Sequence, residues 1–431
     1  MMNILAINPW IVDFAAYDFW LKPYGFLVIL SYLKSKGITL NYIDCLDKKI
    51  TQGTFGRGKY YSERVEKPPI LKSIPRIFKR YGMTKEELTN QLKGKRPDFI
   101  LLTSSMTYWY PALRELAMIL KRAFPGVPII LGGTYASLCY EHANNTIPCD
   151  FIFKNEQLKK LFTLLGLDFD YENLYSHLPS YEDFYRKSDY VILRTSWGCP
   201  FSCSYCAIKK LSGGFFRIPL ETVREFIFRY AQKGIKDFVL YDDAFLYEPE
   251  HVKKLLHKIH TLNVRFHTPN ALHLKFLDKE IARLLKESGF INPHFGLETL
   301  NPRLQKTWGD KVNKTDLLEG IKALKKGGFQ NGEFSVYLLL GYPGQNLKKL
   351  RREVDLLHSL GAKVSLSEFS PVPHTEIFQQ YPPPFTDPLL HNNSIFGFFT
   401  QNETKTEGKM RAFWKMKNYA RGLNKKLSGG Q

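Results

Sequence analysis

Three of the chain's six cysteines fall within eight consecutive residues, and their spacing suits metal chemistry. Cys199, Cys203 and Cys206 lie in the string WGCPFSCSYC, separated by three and then two residues. Three thiolates on one short loop can bind three irons of a cubane 4Fe-4S cluster and leave the fourth iron open, whereas an electron-transfer cluster takes four cysteines. The pattern therefore predicts a cluster with one iron free to bind a reactant.

A zinc site is the alternative for the same cysteines. Tetrahedral zinc sites take paired Cys-x-x-Cys elements and a fourth Cys or His close by. The nearest downstream candidates are the distant His251 and His257. The spacing therefore favours the cluster.

The cysteine loop stands between a predicted strand and a predicted helix. Residues 190–195 (YVILRT) have the pattern of a buried strand, and Pro219 begins an amphipathic helix that ends before Gly234. Five further strands, separated by helical patterns, are predicted at residues 237–241, 265–268, 292–297, 333–340 and 363–368. Six such units predict a partial (β/α)6 barrel of the TIM type, whose active site would lie at the carboxyl ends of the strands.

The cysteine string resembles the signature of the radical S-adenosylmethionine (SAM) superfamily. The resemblance implies that the open iron binds the amino and carboxylate groups of SAM. It also implies that an electron from the reduced cluster cleaves SAM, giving a 5′-deoxyadenosyl radical that abstracts hydrogen from substrate. Tyr205, the aromatic before the third cysteine, would then lie against the adenine. The alternative is that Tyr205 only packs the cysteine loop.

Carboxylates follow two other predicted strands. Many members of the family carry a Gly-Gly-Glu turn for the cofactor's ammonium group, whereas this chain has Asp242 and Asp243. One of these side chains could bind the ammonium, or both could cap the helix that begins near Pro249. Glu298 resembles the family's fourth-strand glutamate, which implies a cofactor contact.

The run LLLGYPG resembles the family's fifth-strand contact with adenine, and it assigns Gly341 and Pro343 to cofactor binding. No catalytic residue can be assigned. His267, His294 and His374 lie at or near predicted strand ends, where a proton donor could sit. Ordinary core or loop histidines are the alternative for all three.

A second α/β unit precedes the predicted barrel. Predicted strands at residues 3–8, 39–44, 99–103, 127–132 and 151–153 alternate with helical patterns that include residues 24–36 and 112–124. The alternation predicts a Rossmann-like, doubly wound parallel sheet over residues 1–165. Its strings KPYGFL and IILGGTYAS resemble the cobalamin-binding-type domain that precedes the barrel in a large class of radical SAM enzymes.

Cobalamin is therefore a candidate cofactor, held without a protein histidine. Enzymes that ligate cobalt carry an Asp-x-His-x-x-Gly loop after the first strand, whereas the first histidine of this chain is His142. Glycines and hydroxyl groups at residues 9–24, 103–105 and 132–134 could admit the corrin edge and its nucleotide tail. The alternative is a Rossmann-like scaffold with an empty pocket.

Charge and composition limit the kinds of partner. The net charge is +20, and residues 57–95, inside a predicted insertion at 47–95, carry eleven Lys and Arg against four Glu. A capping box from Thr84 to Glu87 predicts a helix there. The positive charge is spread over the chain without a nucleic-acid-binding motif, which argues against nucleic acid as a partner. No apolar run is long enough to span a membrane, and cysteines kept for a cluster predict a cytoplasmic location.

The remaining segments complete the predicted domain order. Residues 166–189 predict a linker draped over the barrel of residues 190–375, and residues 376–431 form a C-terminal extension. Within the extension, residues 410–427 predict a basic amphipathic helix. We expect this helix to close the open side of the barrel or to line the substrate pocket, with a role at a membrane surface as the alternative.

Together these features predict a radical SAM enzyme that acts on an unactivated carbon of a small-molecule or lipid-like substrate. Cobalamin-dependent C-methylation is the leading reaction, and a radical cyclisation, rearrangement or oxidation without cobalamin is the alternative within enzymes. Outside enzymes, the alternative is an RNA-binding protein with a structural cluster. The resemblance also implies an external electron donor of the flavodoxin or ferredoxin type.

Overall fold

The computed structural model describes residues 2–382, 386–395 and 406–428, and the chain divides into two compact units. The first unit comprises Met1–Asp189 with Phe385–Asn392, and the second comprises Tyr190–Pro384 with Asn393–Gln431. The division therefore falls directly before the first predicted barrel strand.

The first unit is built on short strands and helices that alternate along the chain. Its strands are β1 (Asn3–Asn8), β2 (Ile11–Asp13), β3 (Thr39–Asp44), β4 (Lys49–Gln52), β5 (Gly58–Tyr60), β6 (Ser62–Arg64), β7 (Lys79–Tyr81), β8 (Phe99–Leu102), β9 (Ile129–Leu131) and β10 (Phe151–Ile152). Its helices are α1 (Tyr24–Ser35), α2 (Lys85–Leu92), α3 (Tyr110–Ala123), α4 (Thr134–Leu138), α5 (Tyr140–Thr146), α6 (Leu158–Leu164) and α7 (Tyr171–Ser176).

Five of these strands form the predicted parallel sheet, in the order β10-β9-β8-β1-β3. The central strands β1 and β8 are apolar almost throughout, as expected for parallel strands covered on both faces. Strand order reverses between β1 and β8, since β3 lies beyond β1 while β9 and β10 lie beyond β8. In doubly wound sheets such a switch point opens a crevice at the carboxyl ends of the strands, where ligands bind. The Rossmann-like prediction is confirmed.

The predicted basic insertion adds two small antiparallel sheets to this unit. Strands β4 and β5 pair with each other, and β7 pairs with both β2 and β6. The predicted capping box is present at α2, where the Thr84 hydroxyl accepts from the Glu87 backbone N–H and the Glu87 carboxylate accepts from the Thr84 backbone N–H.

Residues 166–189, predicted as a linker over the barrel, pack instead as part of the first unit. The Tyr185 hydroxyl donates to Asp44 at the end of β3 at 2.5 Å, and the Ser180 backbone N–H donates to Ser31 of α1 at 2.9 Å. The aromatic content of this segment accounts for the difference, because buried tyrosines fix a segment that a polar composition would leave loose.

The second unit continues the alternation. Its strands are β11 (Tyr190–Leu193), β12 (Ser196–Trp197), β13 (Phe216–Arg217), β14 (Asp237–Leu240), β15 (Arg265–His267), β16 (His294–Glu298), β17 (Ser335–Leu340) and β18 (Lys363–Glu368). Its helices are α8 (Ile208–Ser212), α9 (Leu220–Gln232), α10 (Pro249–Ile259), α11 (Lys279–Glu287), α12 (Pro302–Thr307), α13 (Lys314–Lys326), α14 (Leu347–Ser359), α15 (Glu376–Gln380) and α16 (Thr406–Ser428).

Six parallel strands of this unit stand at the six predicted places. They form two three-stranded sheets, β11-β14-β15 and β16-β17-β18, and a parallel bridge between Leu272 and Phe295 joins the two. Within the described residues, β11 and β18 have no strand between them that would close the barrel. The partial barrel is confirmed.

Helix α16 covers the outer edge of β18. The Asn424 side chain accepts from the Val364 backbone N–H at 2.8 Å and donates to the Val364 carbonyl at 2.9 Å, replacing a missing strand. Phe413, Met416 and Ala420, which belong to the predicted apolar face, are buried. The apolar face of this helix therefore packs within the protein at the β18 edge, and its closing of the open side of the barrel stays a prediction.

None of the helices in the described part of the chain combines the length and the apolar character that a membrane span requires.

Candidate active site

The cysteine loop begins from a short antiparallel pair that joins its two ends. Ser196 and Trp197 of β12 pair with Arg217 and Phe216 of β13, so the chain between them returns to its starting point. Gly198 has a φ of +72°, and a Cβ there would lie 2.2 Å from the Gly214 carbonyl oxygen. Only glycine permits the loop to close this tightly.

The three predicted cluster ligands lie together on this loop. Cys199 is buried, Cys203 is half-buried and Cys206 is exposed, and the Cys206 backbone N–H donates to the Cys203 carbonyl in a tight turn. Burial and the nearby thiols of Cys203 and Cys206 raise the pKa of Cys199 to about 11. Iron would displace the protons, since metal binding deprotonates a thiol.

A cubane binds each cysteine through a different iron, so its ligands do not converge on one point. Among the described residues, no group of three or more His, Cys, Asp or Glu side chains is placed to hold a single metal ion. The three thiols on one closed loop fit the donor set of a cluster with an open iron.

Tyr205 connects the cysteine loop to an aromatic group. Its ring packs edge-on against Trp308 at 5.5 Å between centroids, and Trp308 packs in the same way against Tyr342 at 5.0 Å. The Tyr205 hydroxyl hydrogen-bonds to the Cys203 thiol. The structure thus gives Tyr205 a packing role, and its predicted contact with adenine stays a prediction.

The two adjacent aspartates after β14 both hold the start of the cysteine loop. Asp242 is buried and accepts from the Thr195 backbone and hydroxyl and from the Ser196 hydroxyl. Asp243 pairs with Arg194 at 2.5 Å and accepts from the Gly198 backbone N–H at 3.2 Å. Neither caps α10, whose N-cap residue is Glu248 and which has no side-chain cap. A role with the SAM ammonium stays a prediction.

Glu298 ends β16 in a buried ion pair that the sequence reasoning missed. Its Oε1 lies 2.8 Å from Lys311 Nζ, and both side chains are largely excluded from solvent. A Cβ at Gly296 would stand 2.8 Å from that Nζ and 2.9 Å from that Oε1, so the glycine makes room for the pair. Glu298 adopts a left-handed φ of 66° just after a bulge in the β16–β17 pairing.

Lys311 also faces the cysteine loop. Its Nζ lies 3.5 Å from the Tyr205 hydroxyl. Burial alone would lower the pKa of Lys311, but Glu298 and the thiols of Cys203 and Cys206 outweigh burial and raise it. A charged lysine therefore stands beside the predicted cluster. The sequence alone could not identify Lys311 as a site residue, because it is one loop lysine among 61 Lys and Arg residues.

The predicted glycine turn lies after β17. Gly341 has a φ of +92°, and a Cβ there would approach the Phe413 ring of α16 to 2.9 Å. Its backbone N–H donates to the Gln345 side chain at 2.6 Å. Packing against Phe413 therefore explains why a glycine stands at position 341. The contact of Gly341 and Pro343 with adenine stays a prediction.

The three candidate histidines have different surroundings. His267 is buried and bonds Asp237 at 2.7 Å, which marks a core histidine. His294 stacks on Tyr337 at 5.0 Å, and burial lowers its pKa to about 4. His374 is exposed. Of the segments that carry these histidines, the one after His374 contacts the cysteine loop, since the Ile377 backbone N–H donates to the Ser204 carbonyl at 3.1 Å.

The first unit contains a cleft at its switch point. The residues that line this cleft follow β1, β3, β8 and β9: Asn8, Pro9, Trp10, Ile11, Leu46, Ser104, Ser105, Met106, Trp109, Tyr110, Leu113 and Tyr135. The cleft has a volume of about 320 Å³, open space included. Two of the three predicted cobalamin segments contribute to it directly.

The third predicted cobalamin segment, residues 132–134, packs against Ser104, which lines the cleft. A Cβ at Gly133 would lie 2.4 Å from the Ser104 carbonyl oxygen, and the Ser104 hydroxyl donates to the Gly132 carbonyl at 2.7 Å. His142 is not a lining residue, and its Nδ1 is 2.6 Å from the Tyr135 hydroxyl. Hydroxyl, amide and aromatic side chains at this edge fit part of a large planar cofactor held without a histidine ligand.

Residues 194–357, which include the cysteine loop and four of the six barrel strands, match the family model of the Radical SAM superfamily. The second unit therefore contains a radical SAM domain. Membership of this superfamily implies a 4Fe-4S cluster and SAM as cofactors, and the cysteine loop supplies the three ligands that such a cluster needs.

Two of the proteins similar to this chain are named as methyltransferases. An uncharacterized methyltransferase of Pyrococcus horikoshii is 21% identical over 340 residues, which is 69% of this chain and 72% of that protein. The methyltransferase TsrM of Kitasatospora setae, solved with cobalamin and a 4Fe-4S cluster, superposes over 96% of this chain and 91% of its own, with 15% identity and a TM-score of 0.67.

The cobalamin-dependent radical enzyme OxsB, solved with aqua-cobalamin and SAM, superposes over 95% of this chain, with 12% identity and a TM-score of 0.57. This chain spans about half the length of OxsB, 56%. At these identities the two structures establish the fold alone, a Rossmann-like unit followed by a partial barrel.

Proposed function

We propose that this radical SAM enzyme is a cobalamin-dependent methyltransferase that methylates an unactivated carbon of a small molecule. The observation that carries the proposal is the fold similarity to TsrM, which extends over both units and 96% of the chain. TsrM is a methyltransferase solved with cobalamin and a cluster, and the Pyrococcus relative is also named a methyltransferase.

The barrel would hold the cluster and SAM. Cys199, Cys203 and Cys206 would bind the cluster, and when bound and reduced it supplies the electron that cleaves SAM. The amino acid end of SAM is a zwitterion, and the buried pair of Glu298 and Lys311 offers it one charge of each sign. Glu298 would accept from the ammonium group and Lys311 would donate to the carboxylate.

The cleft of the first unit would hold part of the cobalamin, which supplies a transferable methyl group when bound. Ser104 and Ser105 offer hydroxyl groups at its rim, while Trp10 and Trp109 offer flat apolar surface. No histidine is among the described residues that line the cleft, so these residues would hold the cofactor without a bond from imidazole to cobalt.

Anaerobic reconstitution tests the cluster first. The protein should take up about four irons per chain, as a 4Fe-4S cluster requires. Cys199→Ala, Cys203→Ala and Cys206→Ala should each abolish SAM cleavage, whereas Cys45→Ala, Cys139→Ala and Cys149→Ala should not. Stoichiometric zinc in place of iron would contradict the proposal.

SAM with a deuterated methyl group then tests methyl transfer. Reduced, iron-replete protein should release 5′-deoxyadenosine slowly without substrate. With hydroxocobalamin added, it should also release S-adenosylhomocysteine, and the deuterated methyl group should travel with the cobalamin. The absorption spectrum of bound cobalamin should be that of the base-off form and should not change in His142→Ala.

Two outcomes would change the assignment. Release of 5′-deoxyadenosine alone, with no binding of cobalamin, would favour a radical cyclisation, rearrangement or oxidation. Release of neither product from reduced, iron-replete protein would contradict the catalytic role itself.

A further inference from the structure

A buried histidine beside the cysteine loop has a nitrogen without a hydrogen-bond partner. His273 follows the Leu272 bridge between the two barrel sheets and is only 4% exposed. Its Nδ1 is enclosed and has no partner among the residues that the structure describes. A buried polar group without a hydrogen bond is destabilising, so an unpaired buried nitrogen calls for a ligand that would satisfy it.

The surroundings of His273 connect it to the predicted cluster. Its ring stacks on that of Phe201 at 5.1 Å between centroids and 20° between planes, and Phe201 stands midway between Cys199 and Cys203. Phe276 packs against both rings. The imidazole is thus fixed against the loop that carries the ligands.

A second polar atom on the same loop is also unpartnered. The Ser204 hydroxyl, between Cys203 and Tyr205, is buried and has no hydrogen-bond partner within the described part of the chain. Two such atoms near the three thiols indicate a group with hydrogen-bond acceptors at this place.

The charges near His273 indicate what kind of chemical group its Nδ1 would contact. Burial and the neighbouring Lys311 lower the pKa of His273 to about 3, so the imidazole is neutral. The positive charge of Lys311 would repel a second cation bound beside the neutral imidazole. Three thiolates make the cluster site negative, and sulfur atoms of iron–sulfur clusters accept hydrogen bonds that tune the reduction potential.

We propose that His273 is a positioning residue for the cluster, whose Nδ1–H donates a hydrogen bond to a cluster sulfur and so raises the reduction potential. The proposal rests on the proposed function, because it requires the cluster. It goes beyond that function by naming a residue that adjusts how readily the cluster accepts its electron.

Three substitutions at one position separate this role from packing. His273→Asn keeps an N–H donor near the position of Nδ1, His273→Gln places its donor near the position of Nε2, and His273→Phe keeps only the ring. The reduction potential of the reconstituted cluster would be measured by a redox titration followed by electron paramagnetic resonance. SAM affinity would be measured on the same samples.

His273→Phe and His273→Gln should make reduction about tenfold less favourable, which is about 59 mV for a one-electron couple. His273→Asn should stay close to the unsubstituted protein. If His273→Phe does not fold, the Asn and Gln variants decide, because both are small and polar and differ in where the donor lies.

Equal potentials in the Asn and Gln variants would overturn the proposal. An unchanged potential with weakened SAM binding would overturn it too, because Nδ1 would then face SAM. The iron content of the unsubstituted protein is the separate check on the proposed function, since a protein without four irons would fail at that step.

Discussion

Glu298 combines an unfavourable backbone with a buried charge. Its left-handed φ of 66° costs roughly 1–2 kcal/mol for a residue with a Cβ. The conformation follows a bulge that shifts the strand pairing and turns the carboxylate toward Lys311. Strained residues of this kind cluster at active sites, which is the reason to test Glu298 by substitution.

We predict that Glu298→Gln weakens SAM binding about tenfold to hundredfold, because a charge-assisted hydrogen bond of about 1.5–3 kcal/mol is lost. Binding would be measured anaerobically by calorimetry on the iron-replete protein. Glu319→Gln, at an exposed position on α13, is the matched control. Lower thermal stability with unchanged SAM affinity would show that the ion pair is only structural.

The residues of the candidate site differ in how far the sequence could predict them. Cys199, Cys203 and Cys206 could be identified because their spacing is local, and Glu298 because it directly follows a strand. Lys311 and His273 could not, because their roles arise from contacts with residues 13 to 106 positions away. Asp242 was predicted to bind a ligand or cap a helix, yet its partners Thr195 and Ser196 lie in the segment that follows another strand, β11.

At the scale of elements, the turn after β17 and the C-terminal helix form one contact. Gly341 lies under the Phe413 ring of α16, while Gly344, three residues later, has open space where a Cβ would stand. Both glycines have positive φ. Both glycines therefore require a left-handed backbone, but only Gly341 is also in contact with Phe413.

Gly341→Ala should destabilise the protein more than Gly344→Ala does. Both substitutions place a Cβ on a left-handed backbone, at roughly 1–2 kcal/mol, but only the first also displaces Phe413. Chemical denaturation would measure the difference in the free energy of unfolding. Equal effects would mean that α16 is not held against this turn.

The side chain of Asn424 replaces a strand at the edge of β18, so its loss should also be measurable. We predict that Asn424→Ala lowers the free energy of unfolding by about 1–3 kcal/mol, since it removes two hydrogen bonds to Val364. Asn418→Ala, at an exposed position on the same helix, is the control. A similar loss in both variants would contradict a specific role at the strand edge.

Long elements could be predicted closely, and short ones could not. The six barrel strands were found within a few residues because their apolar runs reflect burial, as in YVIL and SVYLLL. The two-residue strands β12 and β13 were not found, because each exists only through pairing with the other across the cysteine loop. The strands of the basic insertion were missed for the same reason.

At the scale of the whole molecule, the net charge of +20 should govern encounters with an electron donor. Flavodoxin- and ferredoxin-type donors would be attracted if acidic, and salt would screen that attraction over about 10 Å at 0.1 M.

We predict that cluster reduction by an acidic flavodoxin slows about tenfold between low and high salt. Reduction by the methyl viologen radical, a cation, should not slow and should become faster as its repulsion is screened. Stopped-flow absorbance would follow both reactions. The same salt dependence for the two reductants would show that net charge does not steer the encounter.

The bond between Asn424 and β18 also sets an order of events during translation. Asn424 and its partner Val364 of β18 are 60 positions apart. At 5–20 residues per second, β18 therefore leaves the ribosome about 3 to 12 s before the part of α16 that covers it. During that interval its outer N–H and C=O groups are open to another nascent chain. Slower elongation downstream of residue 368 would prolong this exposure, and polysomes carrying several such chains would place exposed edges side by side.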